Sequence, residues 1–222
     1  MLNGMDICAG SGIGSIAFER CGLSRTVCYV EWDKYCQQLI QQRMQDGWLS
    51  PAPIWDDLKT FDGRPWRGCV DFIFGGIPCQ PYSVAGKQQG AADERDLWPA
   101  TRRIIREVGP RLVLLENVPG MLAARSAKRG AGEFPWWGEW LERAIGTLDE
   151  FVHLRAAYER GEKVTWWEQP TSAATGRIFG ELAEDGYDAE LAIVSAADVG
   201  APHLRKRVWI VAYTSGAGEM ST

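Results

Sequence analysis

The chain has 222 residues, 45% of them hydrophobic, enough for one large domain or a domain with a substantial excursion. With 24 Lys and Arg against 29 Asp and Glu, its formal net charge of −5 excludes bulk basicity, so any DNA contact must come from a local patch or a missing part. No stretch approaches the roughly 20 apolar residues that cross a bilayer, no basic leader precedes the first strand-like run, and Cys8, Cys21, Cys28, Cys36, Cys69 and Cys79 form no CxxC pair. These features predict a soluble cytoplasmic protein without membrane partner, zinc or disulfide framework, whose cysteines are mostly buried thiols. With only His153 and His203, histidine acid/base chemistry is not expected to dominate.

Apolar runs bounded by turn residues alternate with amphipathic stretches, the pattern of β-α units around a parallel sheet. Strands are predicted near Asn3 to Cys8, Thr26 to Glu31, Val70 to Phe74, Arg111 to Leu115, Glu190 to Ser195 and Val208 to Tyr213. Helices are predicted over Ile13 to Cys21, Asp33 to Asp46, Asp96 to Val108, Trp137 to Tyr158 and Thr175 to Asp185.

The first strand runs into Asp6-Ile7-Cys8-Ala9-Gly10-Ser11-Gly12-Ile13-Gly14, where glycines let a ligand approach the backbone closely. Glu31 closes the next strand about 20 residues later, where a carboxylate can accept both ribose hydroxyls of an adenosine cofactor. This geometry serves nicotinamide dinucleotides and S-adenosylmethionine alike. Asp6 favours the latter, because a carboxylate suits a methionine ammonium better than a pyrophosphate. Asp57-Leu58, after a third strand, reads either as a solvated turn or as a carboxylate and an apolar side chain set against an adenine.

Gly75-Gly76-Ile77-Pro78-Cys79-Gln80-Pro81-Tyr82-Ser83 then places a cysteine on a Gly/Pro-rich loop at a strand's carboxyl end, the edge at which open α/β sheets bind ligands. Pro78 and Pro81 restrict the backbone on either side. Leu112-Val113-Leu114-Leu115-Glu116-Asn117-Val118-Pro119-Gly120 repeats the arrangement, ending an apolar strand in a carboxylate and an amide. Between Pro119 and Thr175 the cadence breaks into charged sequence rich in tryptophan (Trp136, Trp137, Trp140, Trp166, Trp167). That stretch, at about 120–175, reads as a helical insertion within a single domain, its tryptophans either packed on the domain or forming a stacking surface for DNA with Arg125, Lys128 and Arg129. Last comes Ala201-Pro202-His203-Leu204-Arg205-Lys206-Arg207, whose cations either are solvated or serve a site.

Taken together these motifs resemble the DNA (cytosine-5) methyltransferase family. The glycine turn from Asp6 to Gly12, Glu31-Trp32, Asp57-Leu58, Pro78-Cys79-Gln80, Asp93 to Trp98, Glu116-Asn117-Val118 and Arg205/Arg207 follow that family's order from about Met5 to Tyr213. The resemblance implies an α/β, Rossmann-like S-adenosylmethionine-dependent methyltransferase fold, a mostly parallel sheet flanked by helices, with DNA as substrate. It implies that Cys79 adds to carbon 6 of a flipped-out cytosine. Glu116 acts as the acid at N3 and holds the exocyclic amine. Arg207 binds O2, with Arg205 near the phosphate or the cysteine loop. Asp6, Cys8, Ala9, Gly10, Gly12, Glu31, Trp32, Asp57, Leu58, Pro78 and Leu97 are implied around the cofactor, and Gln80, Ser83 and Asn117 as loop support or DNA contacts.

Departures from the family pattern are Cys8 at a position usually aromatic, Ile13 for a glycine, and His203 for a glutamine. Nine residues follow Tyr213, and neither a target-recognition region nor a final cofactor-contacting segment is found. The expectation is therefore a catalytic core lacking that region or paired with a separate recognition subunit. The alternatives are a fragment that binds cofactor or DNA without catalysis of its own, and a nicotinamide oxidoreductase, which leaves the Cys79, Glu116 and Arg207 loops unexplained.

Overall fold

The structure, a computed structural model, describes residues 1–78, 96–119, 121 and 173–214. Its strands are β1 (Leu2–Ile7), β2 (Ser24–Val30), β3 (Ile54–Trp55), β4 (Phe72–Gly76), β5 (Leu112–Asn117), β6 (Tyr187–Ser195) and β7 (Lys206–Thr214). Its helices are α1 (Ile13–Arg20), α2 (Lys34–Gln45), α3 (Trp98–Val108) and α4 (Ala173–Glu184). The seven strands form one sheet in the order β3-β2-β1-β4-β5-β7-β6. β1 to β5 run parallel, and β7 lies antiparallel between β5 and β6.

Alternation along β4 divides the protein into two packed faces, because successive strand residues point to opposite sides. Phe72 and Phe74 meet Phe18 of α1, with ring centroids 5.1 and 4.7 Å apart. Ile73 belongs instead to the large core with Met5, Val113 and Leu115. From α3 that core takes Trp98, Ile104, Ile105 and Val108, a helical stripe; from α4 it takes Ile178, Phe179 and Leu182. Asp33 caps α2 by accepting the Cys36 N–H at 2.9 Å.

The α/β architecture is the expected one, with shifts at the strand ends. β4 runs to Gly76 rather than stopping at Phe74, because Gly75 and Gly76 continue the parallel ladder with Leu115 and Glu116. β6 starts at Tyr187, paired with Thr214, so the hairpin with β7 is longer than its apolar stretch suggests. β3 is too short to carry a pattern of its own. The predicted helix Trp137 to Tyr158 lies outside the described residues. The expectation of mostly buried thiols is corrected: Cys28 is buried, Cys8 and Cys36 are half-buried, and Cys21 and Cys69 are exposed. Cys21 caps the end of α1 and Cys69 sits in the turn before β4, so neither points into a core. No described helix is long and apolar enough to cross a membrane.

Candidate active site

Parallel strands bring their carboxyl ends to one edge, and the first half of the site is built there from β1 and β2. Glu31, just beyond β2 and 8% exposed, accepts the Gly10 N–H on Oε2 at 2.6 Å and the Asp33 N–H on Oε1 at 2.8 Å. The glycine turn thus grips the carboxylate and holds it in one orientation. Beside it Trp32 is 72% exposed, and Trp55, whose carbonyl accepts the Glu31 N–H at 2.9 Å, is 45% exposed. A fixed carboxylate flanked by uncovered indoles suits a nucleoside, with ribose hydroxyls on the one and a base against the other. Cys8 holds a left-handed φ of 52° within this turn, and burial, with help from Glu31 and Asp6, pushes its thiol up to about 12. It is therefore a neutral wall of the site rather than a nucleophile.

Asp6 is buried, and Ser15 donates its hydroxyl to Asp6 Oδ2 at 2.7 Å. Burial raises its pKa to about 7, against the Ser15 hydrogen bond and with a further push from Glu31. Between the ordinary carboxylate range and about 7, the folded chain keeps a proton that the unfolded chain has released, so this group lowers stability as pH rises through that window. Asp6→Asn is expected to be more stable than wild type at pH 8 and not at pH 3. Urea midpoints across pH check this; parallel pH curves for the two proteins contradict it.

The second half of the site comes from β4, β5 and β7. Antiparallel pairing sets Asn117 opposite Val208, which puts Arg207 at the same edge as the carboxyl end of β5. There Arg207 Nε pairs with Glu116 Oε1, while Arg207 Nη1 donates to the Lys206 carbonyl at 2.8 Å. The other Glu116 oxygen lies over Gly76, where an added Cβ would come within 3.1 Å of Oε2. The glycine leaves room for the carboxylate directly above the chain that leads to Cys79. Asn117, 6% exposed, donates to the Ile77 carbonyl at 3.5 Å and accepts the Val118 N–H at 2.8 Å, bridging the exits of β4 and β5.

The structure brings together Asp6, Cys8, Ala9, Gly10, Gly12, Glu31 and Trp32 around the first turn, and Glu116, Asn117, Pro78 and Arg207 at the neighbouring strand ends. Arg205 is exposed on the connection before β7, its carbonyl accepting the Ala196 N–H at 3.3 Å. Asp57 organises a turn, its Oδ1 accepting the Lys59 N–H at 2.8 Å. Leu58 packs in the core at 5% exposure, and Leu97, at the start of α3, packs against the same core. Cys79, Gln80 and Ser83 lie outside the described residues. Ser15, Trp55 and Gly76 were not singled out from the sequence. Only the Gly75-Gly76 pair at a strand's end offered a signal there, since a hydroxyl on the first turn of a helix and a lone indole after a short apolar pair are common on any surface.

A carboxylate gripped by a glycine turn and a carboxylate-guanidinium pair, set along one edge of this seven-stranded, mostly parallel sheet, define a Rossmann-like α/β fold with its candidate site at the carboxyl ends of the strands. The family profile described as C-5 cytosine-specific DNA methylase matches residues 2–132 and 168–220. The chain belongs to that family.

Among curated proteins it is 38% identical over 122 residues to the Type II methyltransferase M.NgoMIV of Neisseria gonorrhoeae, covering 53% of this chain and 36% of that protein. It is 27% identical over 208 residues to the Type II methyltransferase M.NaeI of Lentzea aerocolonigenes, covering 94% of this chain and 39% of that one. A solved structure of a putative DNA modification methyltransferase encoded within an E. coli prophage superposes with a TM-score of 0.59 at 21% identity, over 96% of this chain and 47% of its own. The chain thus spans between about a third and a half of the length of these proteins.

Proposed function

We propose that the protein methylates carbon 5 of cytosine in DNA, with Cys79 as nucleophile and S-adenosylmethionine as methyl donor. The observation that carries this reading is the Glu116–Arg207 pair, set at the carboxyl edge over Gly76, three residues before Cys79 in the chain. When bound, S-adenosylmethionine supplies the sulfonium methyl group that carbon 5 takes up. Glu31 would hold its ribose, Trp32 its adenine, and Asp6 with the turn from Cys8 to Gly12 its methionine end; Asp57, Pro78 and Leu97 complete the surroundings, and Leu58 supports them from the core.

Carbon 5 of cytosine is a weak nucleophile. A Cys79 thiolate bonding to carbon 6 moves the ring's electron pair toward carbon 5 and N3, which makes carbon 5 reactive. Glu116 stabilises that charge with a proton at N3 and accepts from the exocyclic amine, which separates cytosine from thymine. Arg207 holds Glu116 in place and presents its planar fork to O2 of the base. After methylation the carbon 5 proton leaves to water or hydroxide, and the electrons left behind break the sulfur–carbon bond and free the Cys79 thiolate. These atoms are inaccessible in a stacked duplex, so the base must be flipped out. Arg205, Gln80 and Ser83 would contact the DNA or brace the loop, and Asn117 ties that loop's root to β5.

DNA carrying 5-fluorocytosine tests the proposal, because fluorine cannot leave as a proton does. Incubation with S-adenosylmethionine is expected to give a protein–DNA adduct that survives denaturing electrophoresis and maps to Cys79. No adduct, or one on another residue, overturns the proposal.

A further inference from the structure

Three of the five residues from Cys8 to Gly12 hold left-handed backbone, with φ of 52° at Cys8, 55° at Gly10 and 76° at Gly12. Glycines leave a turn free to take other shapes, so its peptide groups must be fixed from outside. The Ser11–Gly12 peptide is held at both ends. Its N–H donates to the Ala9 carbonyl at 2.8 Å, and its carbonyl accepts from Arg43 Nη1 of α2. Ile40 and Leu49, both buried, pack beneath it so closely that an added Cβ on Gly12 would come within 2.9 Å of Leu49 Cδ1.

An arginine in the last turn of a helix is ordinarily a solvated cation that favours the helix's negative end. Arg43 stands in that place but is half-buried. Side chains on a helix lean toward its amino end, and the amino end of α2 follows β2, at the carboxyl edge of the sheet. The guanidinium is therefore carried to the glycine turn rather than out to water. Its backbone serves the same place, since the Arg43 carbonyl accepts the Trp48 N–H at 2.8 Å and the Leu49 N–H at 3.2 Å and so seats Leu49 under Gly12. α2 fixes the neighbouring wall through other residues: Gln37 Nε2 donates to the Glu31 carbonyl, and the N–H of Asp33, the helix's cap, donates to Glu31 Oε1.

We infer that Arg43 is a positioning residue for the amino-acid end of S-adenosylmethionine, fixing the Ser11–Gly12 peptide while Gln37 and Asp33 fix the carboxylate that would hold the ribose. The inference rests on the proposed cofactor reading, and it assigns Arg43 no contact with the cofactor. Hydrogen bonds from a charged donor are the strong ones, so a single guanidinium suffices to hold a peptide plane that a following glycine leaves unconstrained. Loss of Arg43 should therefore be felt by the amino-acid part of the ligand and not by its adenosine.

Calorimetric titration of the full chain with two ligands separates these parts: S-adenosylhomocysteine, the demethylated product, and methylthioadenosine, which keeps the adenosine and the sulfur and lacks the amino-acid end. Arg43→Met keeps the apolar stem and removes the donors, and Arg43→Lys restores one charged donor. Arg43→Met is expected to bind S-adenosylhomocysteine about 10- to 100-fold more weakly than wild type and methylthioadenosine within about threefold, with Arg43→Lys intermediate for the first ligand. Equal losses for both ligands show a purely structural anchor and overturn the inference, and so do unchanged affinities for both. Where Arg43→Met does not fold, Arg43→Lys decides by the same ratio of the two losses. If wild type binds neither ligand, the cofactor reading falls and this inference with it; wild-type binding of both, with their ratio unchanged in the variants, sinks the inference alone.

Discussion

Glu116→Gln is expected to slow methyl transfer by about 100-fold, and Glu116→Ala by up to about 10⁴-fold, the span of a positioned general acid. The amide still donates a hydrogen bond toward N3, which places it at the smaller end, but it has no proton to give. S-adenosylhomocysteine affinity should hold within about twofold in both, because the turn proposed to hold the cofactor is built on Glu31, Gly10 and Asp33, beyond the ends of β1 and β2. Stability should fall modestly in both. Glu116 and Arg207 are each only about a quarter exposed, and leaving a largely buried guanidinium without its carboxylate costs about 1–3 kcal/mol. Single-turnover rates, product titrations and melting curves on the same samples check all three statements. A Glu116→Gln rate within threefold of wild type would remove the acid from the mechanism.

Gly75→Ala is expected to damage the fold itself, by about 3 kcal/mol or more, the upper range for overpacking a well-packed interior. A Cβ at this position would overlap the Ile7 carbonyl oxygen and come within 2.7 Å of Ile7 Cγ1 and 2.9 Å of its carbonyl carbon. Those are mostly backbone atoms of the neighbouring strand, paired in register with Gly75, so relief requires β1 and β4 to part. Ile7 leads into the glycine turn, so product affinity should fall together with the denaturant midpoint. Gly10→Ala makes the control: nothing lies within 4 Å of its added Cβ, and its φ of +55° alone resists the substitution, at about 1–2 kcal/mol. Equal midpoints for Gly75→Ala and wild type would contradict this account of β4.

How far the site could be read beforehand varied with the kind of interaction. Local spacing carried the glycine turn, the carboxylate closing β2 and the Glu116-Asn117 strand end, because each depends on a few neighbouring residues obeying short-range backbone rules. The extent of β4 through two glycines depended on ladder partners contributed by β1 and β5, and composition said nothing of them. Ser15 escaped notice because its role is set by a carboxylate nine positions earlier that the first helix happens to face. The Asp96–Arg177–Glu181–Trp98 ring joins residues more than 80 positions apart, across sequence with a different cadence.

The order of chemical motifs along the chain was enough by itself to determine the family resemblance, the α/β class and which carboxylates, guanidinium and thiol to suspect. Only tertiary structure decided that Glu116 faces Arg207 across an antiparallel pairing, that a missing Cβ at Gly76 makes space for the carboxylate, and that Asp96, just before α3, pairs with Arg177 of α4. The physical reason is that strand and turn preferences act over a few residues. Which side chains meet is settled by the crossing of strands and helices and by the requirement that every buried charge find a partner.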